Sequence, residues 1–181
     1  MEKSTLPYDK NLIGKLISAG AESVVYQYDI DKVIKFPTFY SLRFFWDSSK
    51  YCSELKNGFA ILNQYLRHHL NESSLHFYEK NNKSTYVIIE PFINGLALTR
   101  KDMASENIKS QLYDIIGIKD ELEKKERLFL DLFGLWGLLF FGHKKIPNLL
   151  IERNTQKVYL VDIGTARLDD SRFIVSILLK F

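Results

Sequence analysis

The chain has 181 residues, 46% of them hydrophobic, with 13 Phe and 10 Tyr against nine Gly and four Pro. Such a chain can close a sizeable core as one domain or two small lobes, which excludes the disordered, collagen-like and low-complexity classes. A net charge of +3 carries no basic cluster of the kind nucleic acid requires, and a single cysteine, Cys52, excludes an internal disulfide framework. The four histidines form no zinc-like pattern with that cysteine. The start, Met1-Glu2-Lys3-Ser4, has no apolar secretory stretch, and a cytoplasmic protein is the expectation.

In chain order, residues 12–17, 24–28 and 32–36 read as three short strands. They are divided by the turn S-A-G-A-E around Gly20 and by the tight turn D-I-D. An N-cap signal at Asp47-Ser48-Ser49 opens a helix with Cys52, Leu55, Phe59, Leu62 and Leu66 at spacings of three and four. Two more strands follow at 75–78 and 86–89, around the turn-like E-K-N-N-K. Segment 90–98, with Pro91 and Gly95, breaks the pattern and reads as a hinge. The character is then helical through Tyr113 and again over about 122–141, where the charged stretch 119–127 reads as a solvated helix face. Residues 128–141 are apolar on every side except at Asp131; a membrane span needs about 20 such residues, so no span is expected. A buried core helix is the reading, with a homodimer or partner interface as the exception.

Three places carry chemistry. Residues 149–152 and 158–161 form a hairpin around R-N-T-Q, which sets the Asn148 amide and the Asp162 carboxylate at strand ends, a donor pair suited to Mg²⁺. Any αβ protein can contain such a hairpin for structural reasons alone. Gly20, lacking Cβ, lets backbone amides approach a phosphate. Lys35 interrupts the apolar strand V-I-K-F and must reach solvent or a buried partner, for which Glu54 on the following helix is a candidate.

In this order the pieces resemble the protein-kinase family. S-A-G-A-E-S-V-V is similar to its glycine-rich loop, with Gly20 at the middle glycine and Ser18 and Ser23 in place of the outer two. Lys35 resembles the strand-three lysine on the α and β phosphates, and Glu54 its helix partner. I-I-E-P-F-I-N-G resembles the hinge that grips adenine by its backbone, at Glu90 and Phe92; Asn148, and Asp162 in D-I-G, resemble the two metal ligands. The resemblance implies an α+β, two-lobed fold as a single kinase-like domain over 1–181. A five-stranded antiparallel N-lobe sheet would occupy about 12–90, a hinge 91–95, and a reduced, mainly helical C-lobe 96–181. It also implies ATP and Mg²⁺ as cofactors.

The departures are specific. His143 stands where the family places its catalytic aspartate, and Lys145 matches the lysine two places later that steadies the γ-phosphate. No counterpart of the helices that bind a peptide substrate is expected in the residues that follow Gly164. The expectation is a phosphotransferase of low activity using His143 and Lys145, or alternatively a pseudokinase whose nucleotide occupancy orders a partner-binding surface.

Overall fold

Alternating apolar residues in S-V-V-Y-Q-Y and K-V-I-K-F-P build an antiparallel hairpin over 23–37 in the computed structural model, which describes residues 6–20, 23–38, 48–130, 132, 145–161 and 167–168. The described residues fall into two units. One draws on Met1–Lys56 and Asn71–Ile93, the other on Asn57–Leu70 and Asn94–Phe181.

The first unit is a five-stranded antiparallel sheet of β1 (Ile13–Ala19), β2 (Ser23–Tyr28), β3 (Lys32–Pro37), β4 (Ser74–Lys80) and β5 (Lys83–Pro91), in the order β1-β2-β3-β5-β4. Its turns are set by residues that tolerate positive φ. Asp29 (φ 60°) accepts the Ile30 N–H on its own Oδ1 at 2.9 Å, and Asn81 (φ 53°) and Asn82 (φ 59°) link β4 to β5, the left-handed pair that two-residue hairpins require.

The two faces of the sheet bury different chemistry. Tyr86 and Ile88 of β5 pack with Cys52 and Leu55, from the first half of helix α1 (Ser48–Tyr65). The other face gathers Tyr28, Ile34 and Val87, with Tyr8, Tyr26, Phe36 and Tyr78 against them. There Tyr8 meets Phe36 and Tyr78 edge-on, at centroid distances of 5.3 and 5.9 Å. Burial pushes the Cys52 thiol up to about 11. Burial first, then the neighbouring Tyr8, pushes the Tyr78 hydroxyl up to about 12.

The second unit contains β6 (Gly95–Thr99), β8 (Lys145–Glu152) and β9 (Val158–Leu160) as one antiparallel sheet. A short pair joins β7 (Leu128–Phe129) to β10 (Arg167–Leu168). Helix α2 (Glu106–Lys125) presents Ile108, Leu112, Ile115 and Leu122 to a core shared with Leu62, Leu66, Leu98 and Leu149. The α1 spacing read from the sequence is therefore functional along its whole length, since Cys52 and Leu55 are buried in one unit and Leu62 and Leu66 in the other.

Two sequence expectations are corrected. The helical stretch is one helix from 106 to 125 with no break after Tyr113, because its buried positions keep a single face. It stops at Glu126 and Arg127, the latter at φ 52°, so the run from Leu128 begins as strand rather than as core helix. Leu128, Leu130 and Leu132 are all fully buried at a period of two, covered by the chain's own core. Residues 133–141 of that run, with the proposed interface residues Phe133, Trp136 and Phe140, lie outside the described residues. In segment 90–98, β5 runs to Pro91 and β6 starts at Gly95, which leaves 92–94 irregular, and one division between the two units falls after Ile93.

Candidate functional site

Register explains the first unit's polar centre. Val33 pairs with Glu90 and Lys35 with Ile88 across β3 and β5, so these four residues share one face, the face whose Ile88 packs on Cys52 and Leu55. Lys35 and Glu90 meet there. Lys35 Nζ lies 2.8 Å from Glu90 Oε1, with side chains only 11% and 5% exposed. Ser73 Oγ donates to Glu90 Oε2 at 3.3 Å, and Asn71 Nδ2 donates to the Pro91 carbonyl at 2.6 Å.

Lys35, which the sequence reading pairs with Glu54, has further interactions besides its contact with Glu90. Glu54 is half-buried on α1 and has interactions of its own. The buried carboxylate of Glu90 went unremarked as a side chain, although the signal was present: Y-V-I-I-E interrupts an apolar strand with a charge just as V-I-K-F does.

Gly20 donates its N–H to the Ser23 carbonyl at 2.9 Å, and a Cβ built there would meet that oxygen at an ordinary 3.7 Å. Ala21 and Glu22, the rest of that turn, lie outside the described residues. Phe92 is 52% exposed, and its N–H donates to the Asp31 carbonyl at 2.7 Å. That amide already has an acceptor within the sheet.

In the second unit the expected hairpin is present. Leu149 pairs with Leu160 and Ile151 with Val158, and the Val161 N–H donates to the Asn148 carbonyl at 3.0 Å. Asn148 is 8% exposed and has interactions of its own. Lys145 begins β8, paired with Thr99. Asp162, next after Val161, and His143 both lie outside the described residues. Among the described residues no group of three or more His, Cys, Asp or Glu gathers to hold a metal, and no helix is long and apolar enough to cross a membrane.

Beside this hairpin, the outer edge of β9 is closed by two side chains and one backbone carbonyl. The Val158 N–H donates to Gln111 Oε1 at 2.9 Å, the Val158 carbonyl faces His69 Nδ1 at 3.2 Å, and the Leu160 N–H donates to the His69 carbonyl at 2.7 Å. His69 is buried, and its Nε2 lies 3.0 Å from Asp114 Oδ2. Carbonyl and carboxylate both accept, so both ring contacts are hydrogen bonds only when each ring nitrogen carries a proton. The residues that build this edge were not singled out from the sequence.

No family model matches the chain, and no curated protein matches its sequence. Among solved structures it is similar to the bifunctional kinase-methyltransferase WbdD, at 14% identity and a TM-score of 0.41, over 87% of this chain and 33% of that one. The chain thus spans well under two thirds of that protein's length. The α+β fold stands on the sheets and helices described above, whose first unit has the five-stranded antiparallel sheet expected of a kinase-like N-lobe.

Proposed function

We propose that the chain is a protein-kinase-like protein that binds ATP with Mg²⁺, and that any phosphoryl transfer it performs is slow. The observation that carries this is the buried Lys35–Glu90 pair. Replacing such a pair with apolar residues of similar volume is often neutral or stabilising, so stability alone is a poor reason for an apolar sheet to hold it. A lysine fixed on a strand is suited to contact phosphate as a point charge. Asn148 supplies a buried amide at the hairpin, and Asp162 would complete the metal pair. Magnesium would neutralise phosphate charge; Lys35 would hold the phosphates, and Lys145 would support the terminal one. Gly20 and the backbone at Glu90 and Phe92 complete the proposed nucleotide contacts.

A second reading is favoured by His143, which occupies the position of the family's catalytic aspartate. In that reading the chain is a pseudokinase that binds nucleotide without turnover and presents a surface to a protein partner. Thermal melting with Mg·ATP tests the shared part. A ligand that binds only the folded state adds about 2.7 kcal/mol at a hundredfold excess over Kd, so the melting temperature should rise, and Lys35→Met should remove the rise. No shift at millimolar nucleotide, and no binding by equilibrium dialysis, would refute both readings. A phosphotransfer assay then separates them: His143→Asp should raise a slow rate, whereas a robust wild-type rate abolished by His143→Ala would make the histidine a working base.

A further inference from the structure

Lys35 has a carboxylate partner within its own sheet, and that partner is itself held. Glu90 Oε1 faces Lys35 Nζ at 2.8 Å, while Glu90 Oε2 accepts from Ser73 Oγ at 3.3 Å. One residue further on, the Pro91 carbonyl accepts from Asn71 Nδ2 at 2.6 Å. Ser73 Oγ also lies 3.0 Å from the Asn71 carbonyl, so its single hydroxyl proton is shared between that carbonyl and Glu90 Oε2. The turn between α1 and β4 thus grips the end of β5 through both backbone and side chain.

The geometry points to Glu90 as the positioning residue for Lys35, with Ser73 steering its second oxygen, so that the ammonium is aimed at a phosphate-bearing nucleotide by the sheet itself. This rests on the nucleotide reading above. A lysine ammonium ends a flexible four-carbon stem, and its direction must be imposed from outside. Glu90 is locked to β3 by the Val33–Glu90 and Lys35–Ile88 register. The spacing of its backbone from that of Lys35 is therefore set by strand pairing, and this contact gives the ammonium a direction tied to the sheet.

The test is equilibrium binding of ATP and of adenosine to the full chain. Glu90→Gln should lower ATP affinity by about tenfold, the scale of a lost charge-assisted contact, with adenosine affinity little changed. Ser73→Ala should produce a smaller loss on ATP alone, and Ser73→Thr, which keeps the hydroxyl, should restore it. These two variants carry the test if Glu90→Gln fails to fold. Equal losses for ATP and adenosine would reduce Glu90 to a structural role, and an unchanged or higher ATP affinity would overturn the inference, a rise marking Glu90 as a competitor of the phosphates. A melting-temperature cycle of Lys35→Met and Glu90→Gln reads the pair without ligand, and additive losses there would also overturn it. If wild type binds neither ligand while the cycle is non-additive, the nucleotide reading falls and the pair stands.

Discussion

The two sheets hold different kinds of polar contact. The five-stranded sheet places a full ion pair on an interior face, across adjacent strands, where Lys35 and Glu90 answer each other. The three-stranded sheet buries the uncharged Asn148 in its middle strand and closes its rim, where Gln111 and His69 serve the backbone groups of Val158 and Leu160. Side chains that satisfy a strand edge are explained by folding alone, because an unpaired edge is open to further strand pairing and a buried amide without a partner is costly. An interior ion pair is not explained that way. The contrast marks the first sheet as the place where the sequence gives up simple packing for a buried charge pair.

The strongest way to break this comparison is to remove one charge. Lys35→Met should cost about 3–5 kcal/mol by leaving Glu90 buried and uncompensated, whereas Lys35→Met with Glu90→Met should recover most of that loss. Urea denaturation of the two variants decides it. If the double variant is as unstable as the single, the charges are not coupled and the two sheets no longer differ in kind.

A smaller effect is expected at the rim. Gln111→Ala strands the Val158 N–H, in a residue with no exposed surface, and should cost about 1–3 kcal/mol. Nucleotide affinity should be unchanged by it. A parallel loss of binding in folded protein would mean that the rim also serves the ligand, and the division drawn above would need revision.

The smallest effect is a pH dependence in the first unit. The Cys52 thiol is pushed up to about 11 by burial, above the roughly 8.5 of an unfolded cysteine. The group's contribution to stability is complete below the unfolded value and is lost as pH rises from there through about 11. Denaturation midpoints should therefore fall on the alkaline side in wild type, and less steeply in Cys52→Ala. Identical profiles would show that the thiol does not sense its burial.

How much of this was legible in the sequence follows from the range over which each signal acts. β2, β3 and the Asn148 hairpin were readable because alternation and turn residues lie within a few positions of each other. The face of α1 was readable for the same reason, from Cys52 to Leu66. β6 was not, since G-L-A-L-T is short, carries the 59% exposed Leu96, and pairs with β8 about fifty residues later. Leu128, Leu130 and Leu132 alternate, yet they sit in so apolar a run that period two could not be told from a buried helix. The Lys35–Glu90 contact needed the β3–β5 register, which no local pattern encodes. What the sequence did reveal there is Lys35 as a charge that needs a partner; that the Glu90 side chain meets it, with Ser73 beside it, is a property of strand pairing and of the turn before β4.

The closed rim of β9 has a consequence for hydrogen exchange. Edge-strand amides ordinarily exchange early, because nothing but water holds their outward N–H groups. Here Val158 and Leu160 have 0% and 1% exposure and protein acceptors on both N–H groups. Their deuterium uptake would be tied to release of the α2 and His69 contacts rather than to fraying of the strand, so the slowest amides of the second unit can lie at the margin of its sheet instead of at its centre.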